Sequence, residues 1–314
     1  MKKIFLAGHN GMVGRSLYKN LCALNNTEII TASKKDCDLR NQKQVEDFYR
    51  DHEIDEVYIA AAKVGGINAN QSNLASFLYD NTMIEMNLIN TAYQCKIRKL
   101  LFLGSSCIYP RNAPNPITED SILCGELEKT NEGYALAKIS GLKLCQYYNL
   151  EKNTDYRSLM PTNLYGPYDN FDLISSHVLP ALIVKFHNAK NNLDSAVEVW
   201  GDGSPMREFL FVEDLASASL KVMNATKDEY SNATRPFTDW LNVGSSEEIS
   251  ISDLSKLIAS IVGFNGNIVF NKGMPNGTPR KLIDSSSIRK LGWMPKTGLI
   301  DGIKKTYAWY LENI

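Results

Sequence analysis

An α/β fold, with a doubly wound parallel sheet followed by a smaller C-terminal α/β lobe, is predicted by three features of this 314-residue sequence. The chain opens with a short apolar run, Lys3 to Ala7, then a glycine loop, Gly8-His9-Asn10-Gly11-Met12-Val13-Gly14, then helical spacing from Arg15 to Leu21. Short apolar runs bounded by turn residues then alternate with helical stretches, the rhythm of strands joined by crossover helices. From Asp169 onward that alternation loosens. The reading is therefore a Rossmann-type nucleotide domain over residues 1–168 and a substrate-binding domain over 169–314. Segments near 207–245 return to the first, so the two interleave in sequence.

Each element has a local reason. Gly8 and Gly11 let the backbone turn tightly and approach a pyrophosphate. The start of the next helix offers free N–H groups and a positive dipole end, and Gly14 lets helix and strand pack closely. The second strand, Glu28 to Ala32, ends in Ser33-Lys34-Lys35. A site selective for NAD places a carboxylate near this point to hold the ribose 2′-hydroxyl. Here Ser33 supplies a hydroxyl and Lys34 and Lys35 supply positive charge, which predicts NADPH/NADP, with Asp38 reaching the adenine end. A helix from Gln44 to Arg50 precedes the strand Glu56 to Ala60, which runs into Ala61-Ala62-Lys63, small residues that leave room for a flat cofactor ring. Ser76 to Cys95 reads as a long packing helix.

The strand Lys99 to Leu103 delivers Gly104-Ser105-Ser106-Cys107, hydroxyls and a thiol at the strand end where ligands bind. A long loop then leads to a helix bearing Tyr134 and Lys138, four residues apart and so on one face. An ammonium beside a phenol favours the phenolate and draws its pKa down from about 10, so the pair can pass a proton to a carbonyl oxygen. Beyond residue 168, Val178 to Asn188 reads as a helix. Lys185, Arg207 and Lys281 are cations suited to a diphosphate, and Trp200 is suited to packing on a nucleotide. Phe209 to Ala216 reads as a strand and helix start, Asp239 to Gly244 as a strand and Ile251 to Val262 as a helix.

Composition narrows the partners. Hydrophobic residues make up 44% of the chain, enough for a large core, and 34 basic against 35 acidic residues show no bias toward nucleic acid or an anionic membrane. No run nears the roughly 20 apolar residues of a membrane span. The opening Met1-Lys2-Lys3-Ile4-Phe5-Leu6-Ala7 imitates a signal peptide, but Gly8 cuts its apolar run short. Six cysteines with no Cys-x-x-Cys spacing predict reduced thiols, a cytoplasmic setting and no metal site.

The order Gly8-x-x-Gly11-x-x-Gly14, Ser105 and Tyr134-x-x-x-Lys138 resembles the extended short-chain dehydrogenase/reductases that modify nucleotide sugars. The blocks Ala61 to Gly66, Gly104 to Pro110, Pro161 to Pro167, Ser176 to Ala181 and Trp200 to Phe209 are similar to the GDP-L-fucose synthase family, over nearly the whole chain. The resemblance implies a GDP-linked 4-keto-6-deoxy sugar that is epimerised at C3 and C5 and then reduced at C4 by NADPH. It implies Ser105, Tyr134 and Lys138 as the reductive residues, Cys107 as the base and His177 as the acid of epimerisation. It adds Asn10, Met12, Val13, Pro161, Asn163 and Leu164 to the cofactor contacts, and Ser106, Asn163, His177 and Val178 to the substrate contacts. A homodimer formed through two helices of the first domain is also implied.

Three departures from the family pattern bear on the sugar. Asp172-Leu173 follows Phe171 where a His-Pro pair is common, Lys185 replaces a usual Arg, and Phe211 a common His. A 4-reductase of GDP-linked 6-deoxy-heptoses, with or without epimerisation, is the nearest alternative. A redox-neutral 4-epimerase holding NAD and a non-catalytic relative of this fold are more distant ones.

Overall fold

The computed structural model describes residues 1–274 and 276–314. The chain runs β1 (Lys2–Ala7), α1 (Met12–Leu21), β2 (Thr27–Ile30), α2 (Gln42–His52), β3 (Glu56–Ile59), α3 (Ile67–Gln71), α4 (Leu74–Gln94), β4 (Lys99–Leu103), α5 (Glu132–Lys152) and β5 (Asp155–Pro161). It continues β6 (Asn163–Tyr165), α6 (Val178–Asn192), β7 (Ala196–Trp200), β8 (Met206–Phe211), α7 (Val212–Asn224), α8 (Lys227–Ala233), β9 (Trp240–Val243) and β10 (Glu248–Ser250). The last elements are α9 (Ile251–Val262), β11 (Asn267–Asn271), β12 (Arg280–Lys281), α10 (Ser286–Arg289) and α11 (Leu299–Asn313). No helix among the described residues is long and apolar enough to cross a membrane.

Six strands form one sheet in the order β2-β1-β3-β4-β5-β9, every neighbouring pair parallel. The winding reverses at β1, which has β2 on one side and β3 on the other, so the ligand crevice lies beyond the carboxyl ends of β1 and β3. Unbroken apolar runs suit these strands because both faces of the sheet are covered. Phe5, Val57, Leu100 and Phe102 pack with Val45 of α2, Leu88 of α4 and Leu142 of α5. Their neighbours Ile4, Leu6, Tyr58 and Leu101 face the other way, onto Leu17 of α1 and Leu215 of α7.

The second lobe is built round β8, which pairs with β10, β12 and β6, and beside it β7 pairs with β11. Leu179 and Ile183 of α6, Leu254 and Ile258 of α9 and Ile303 of α11 share its core. Because β6 already pairs with β8, the chain leaves the first sheet at Thr162. It comes back through α7, which packs on α1, and adds β9 to the sheet's edge. The helix expected to end at Asn188 runs to Asn192, where Leu193 closes it at φ 59°.

One buried side chain ties the lobes together. Glu208 of β8, 0% exposed, accepts the backbone N–H of Ser246 at 2.7 Å and that of Ile283 at 3.1 Å. Burial pushes its carboxyl pKa up, and those amides oppose the shift.

Candidate active site

The first cavity begins where β1 ends. Gly8 turns the chain at φ +91°, and a Cβ there would stand 2.5 Å from the Ala61 nitrogen. A Cβ on Gly14 would strike the carbonyl oxygen of Gly8. Gly11 leads into α1 without a side-chain cap, which leaves the first N–H groups of the helix, at Met12 and Val13, for an anion. Asn10 turns its carbonyl to Arg15 Nε at 3.1 Å. From these glycines a cavity of about 530 Å³ passes Ser33 and Lys34 and reaches Ala61, Ala62 and Lys63. Asn81, fully buried on α4, fixes that far wall by accepting from Lys63 N at 2.7 Å and donating to Lys63 O at 3.0 Å.

The adenosine end is arranged differently from the expectation. After β2 the chain folds into a tight turn in which Asp36 N and Cys37 N both bond Ser33 O at 3.0 Å, and Ser33 Oγ donates to Asp36 at 2.6 Å. The turn puts Lys34 on the cavity wall and leaves Lys35 exposed outside it. Asp38 is outside the wall too. Arg40 donates to it at 2.7 Å, and those hydrogen bonds hold its carboxyl pKa at about 2. Arg40 itself lines the cavity and reaches Asp80 at 3.1 Å, a cation that reading the sequence passed over although it stands two residues beyond Asp38. Asp80 also accepts from Lys63 at 3.0 Å. Burial pushes the Asp80 carboxyl up, and the bonds from Lys63 and Arg40 outweigh it to hold the group below the usual range. Close glycines, an uncapped helix start and two cations at the far end fit a dinucleotide carrying an extra phosphate.

At the end of β4, Ser105 accepts the N–H of Cys107 at 3.2 Å. Asn131, at the start of α5, donates to Cys107 Sγ at 3.2 Å, one turn before Tyr134. The Tyr-Lys pair differs from its expected behaviour. Lys138 is 2% exposed and donates to Leu103 O at 2.9 Å, and its Nζ forms a 2.9 Å ion pair with Glu85 of α4, which is 0% exposed. Gly141, one turn along α5, leaves the space that Glu85 occupies; a Cβ there would stand 2.6 Å from Glu85 Oε2. With its charge met by Glu85, Lys138 does not draw the phenol down. Burial pushes the Tyr134 pKa up, Cys107 and Glu85 add to the rise, and only the Ser105 hydroxyl counts against it. Tyr134 is held as a neutral acid.

A second cavity of about 300 Å³ opens beyond Cys107 and is shared by both lobes. His177 and Val178, at the start of α6, line it opposite Asn163 and Leu164 of β6. His177 is open to the cavity, and the protein crowded around it lowers its imidazole pKa. Lys185 lies with Nζ 5.7 Å from the Trp200 ring centre and donates to Glu198 O at 3.0 Å. Arg207 and Lys281 are neighbours across the β8–β12 pair and both face the cavity. Lys281, expected at the diphosphate, lies with Nζ 3.6 Å from Cys107 Sγ. Ser106 is 3% exposed, and Pro161 is buried at the end of β5; neither is among the residues that line the two cavities.

Residues 4–234 match the model of the NAD dependent epimerase/dehydratase family. The chain is 47% identical over 312 residues to the GDP-L-fucose synthase of Escherichia coli K12, covering 99% of this chain and 97% of that protein. Among solved structures it is similar to a GDP-6-OMe-4-keto-L-xylo-heptose reductase from Campylobacter jejuni, with 34% identity, TM-score 0.93 and coverage of 100% of this chain and 98% of that one. It is also similar to a GDP-mannoheptose C4 reductase from the same organism with NADP bound, at 34% identity, TM-score 0.88 and coverage of 99% and 98%.

Proposed function

We propose a function from this premise: the chain belongs to the GDP-L-fucose synthase family, within the NAD dependent epimerase/dehydratases. It reduces the C4 ketone of a GDP-linked 4-keto-6-deoxy sugar at the expense of NADPH, after inverting C3 and C5, and the 47% identity to a GDP-L-fucose synthase favours a hexose as that sugar. The observation that carries the reading is a convergence. Cys107 lies on the wall of a cavity that His177 also lines, and it is hydrogen-bonded to Ser105 and to the start of the helix that holds Tyr134.

The glycine cradle, Lys34 and Arg40 hold the cofactor's phosphates, and Ala61, Ala62 and Lys63 hold the middle of the molecule. Bound there, NADPH supplies the hydride that C4 receives. The ketone acidifies the hydrogens on C3 and C5. Cys107 as thiolate takes one of these protons: an S–H bond forms, the C–H bond breaks, and its electron pair moves to O4 as an enolate held by the hydroxyls of Ser105 and Tyr134. His177 as imidazolium returns a proton to the opposite face, which inverts the carbon. In the reduction Tyr134 gives its proton to O4 while Lys138, anchored by Glu85, holds the cofactor's ribose. Lys185, Arg207 and Trp200 grip the GDP.

The same reading makes the chain a cytoplasmic homodimer. Six free cysteines suit a reducing compartment, and α4 and α5 present exposed Tyr79, Tyr147 and Leu150 to a second copy. Two measurements on one sample test the function: NADPH oxidation with GDP-4-keto-6-deoxy-mannose, and proton NMR of the product formed in deuterated water. Oxidation with deuterium at C3 and C5 is expected. No oxidation would refute the reductase, and oxidation without exchange would remove the epimerase. A 4-keto-heptose analogue in parallel identifies the preferred sugar.

A further inference from the structure

A thiol acts as a base only as the thiolate, so whatever favours that form governs the epimerisation. Two donors converge on Cys107 Sγ: Asn131 Nδ2 at 3.2 Å and Lys281 Nζ at 3.6 Å. We infer that Asn131 and Lys281 are positioning residues that stabilise Cys107 as a thiolate, an inference that rests on the reading of Cys107 as the base.

Lys281 has donors and a positive charge and no acceptor, so a thiolate suits it far better than a thiol. Its backbone is held on two sides. Lys281 pairs with Arg207 across the β8–β12 ladder, and the residues just beyond it bond the loop that follows Cys107, with Ile117 N on Leu282 O and Asp284 N on Ile117 O, both at 2.8 Å. The ammonium is thereby delivered from the second lobe to a sulfur carried by the first. Arg207, its partner in register, is instead engaged with its own neighbour, donating to Met206 O at 2.8 Å.

Asn131 adds the second donor. It precedes α5, so the residue that braces the epimerisation base is rigidly joined to the helix carrying Tyr134 and Lys138. Asn131 lines the second cavity, and its amide is oriented with the nitrogen on the sulfur and the oxygen buried among protein atoms. Tyr134 is the titratable group that faces the sulfur from α5. When the sulfur takes a proton from carbon, the negative charge passes to O4 and so remains within the same cluster of donors.

The test uses the full chain without any sugar. Alkylation by iodoacetamide is followed peptide by peptide with mass spectrometry from pH 6 to 9, with the exposed Cys22 and Cys124 as internal references. Lys281→Met is expected to slow alkylation of Cys107 about tenfold at pH 7 and to move its pH midpoint up by about one unit. Lys281→Arg should stay near the parent, Asn131→Ala should fall between, and the reference cysteines should not change. An unchanged or faster profile at Cys107 in Lys281→Met overturns the inference; should that variant misfold, Lys281→Gln decides in its place. Because no sugar is present, a parent enzyme that fails to exchange the C3 and C5 hydrogens counts against the base assignment and leaves the alkylation result standing.

Discussion

Glu85→Gln keeps the shape of a side chain that is 0% exposed and removes its charge. It leaves the Lys138 ammonium, 2% exposed, with the Leu103 carbonyl as its charge-neutral acceptor in place of a carboxylate at 2.9 Å. Breaking one side of a buried ion pair costs about 3–5 kcal/mol. The unfolding entropy of a 314-residue chain, at about 2.1 cal/mol/K per residue, is about 0.66 kcal/mol/K, so the melting temperature should fall by about 5–8 °C. NADPH oxidation should fall with it, since the Lys138 side chain loses the carboxylate that fixes its position beside Tyr134. Differential scanning calorimetry and the NADPH assay read the two effects separately. The double variant Glu85→Met with Lys138→Met buries no charge, and should regain most of the stability while remaining inactive as a reductase. If Glu85→Gln melts within about 1 °C of the parent and turns over normally, the pair does not have the role argued for it.

Tyr134→Phe removes the hydroxyl proposed to protonate O4 and should lower turnover about 10²–10⁴-fold, with NADPH affinity by fluorescence titration unchanged; normal turnover would place the donor elsewhere. Lys34→Ala should weaken NADPH at least about tenfold more than NADH, whereas Lys35→Ala, outside the cavity, should leave both alone. Equal losses for the two cofactors would remove Lys34 from the phosphate. The two stages should also part with pH. His177 has its pKa lowered, so its donating imidazolium form disappears as pH rises through a midpoint below about 6.5, while Tyr134, pushed up, keeps its proton throughout. Because the base must be a thiolate, a form that grows as pH rises, NMR of products made from pH 5 to pH 9 should show epimerised sugar passing through a maximum and declining on the alkaline side, and a yield that climbs steadily to pH 9 contradicts the assignment of His177 as the acid.

The sheet was readable because its strands are buried on both faces, so Ile4, Phe5 and Leu6 announce themselves without any knowledge of their partners. The glycine cradle was readable because only backbone geometry decides it. Arrangements that depend on where one element meets another were not. Glu85 lies on the stripe Phe77, Asn81, Glu85, Leu88 of a helix read as packing, and a carboxylate on a buried stripe is a signal that something charged faces it, though only the α4–α5 contact reveals that it is Lys138. Lys35 and Asp38 were assigned by distance from the glycines, but a tight turn at Ser33 redirected them and brought Arg40 inward. Lys281 sits in a two-residue strand with no periodicity to place it, and a lone cation naturally suggested a phosphate.

Gly65 and Gly66 close the loop that leaves the cofactor cavity, and Gly66 N donates to Ser175 O at 2.8 Å, with no room for a Cβ at Gly66 beneath Ser176. The loop that ends in His177 is therefore tied to the nucleotide-binding half of the molecule through the Gly66 amide. For anyone grafting residues 169–314 of a relative onto this chain to change its sugar, this is the seam that matters. The transplanted His177 arrives with its own loop but without the two glycines against which that loop is packed, so a graft is expected to need the dipeptide about 110 residues away, on the other side of the seam, exchanged with it.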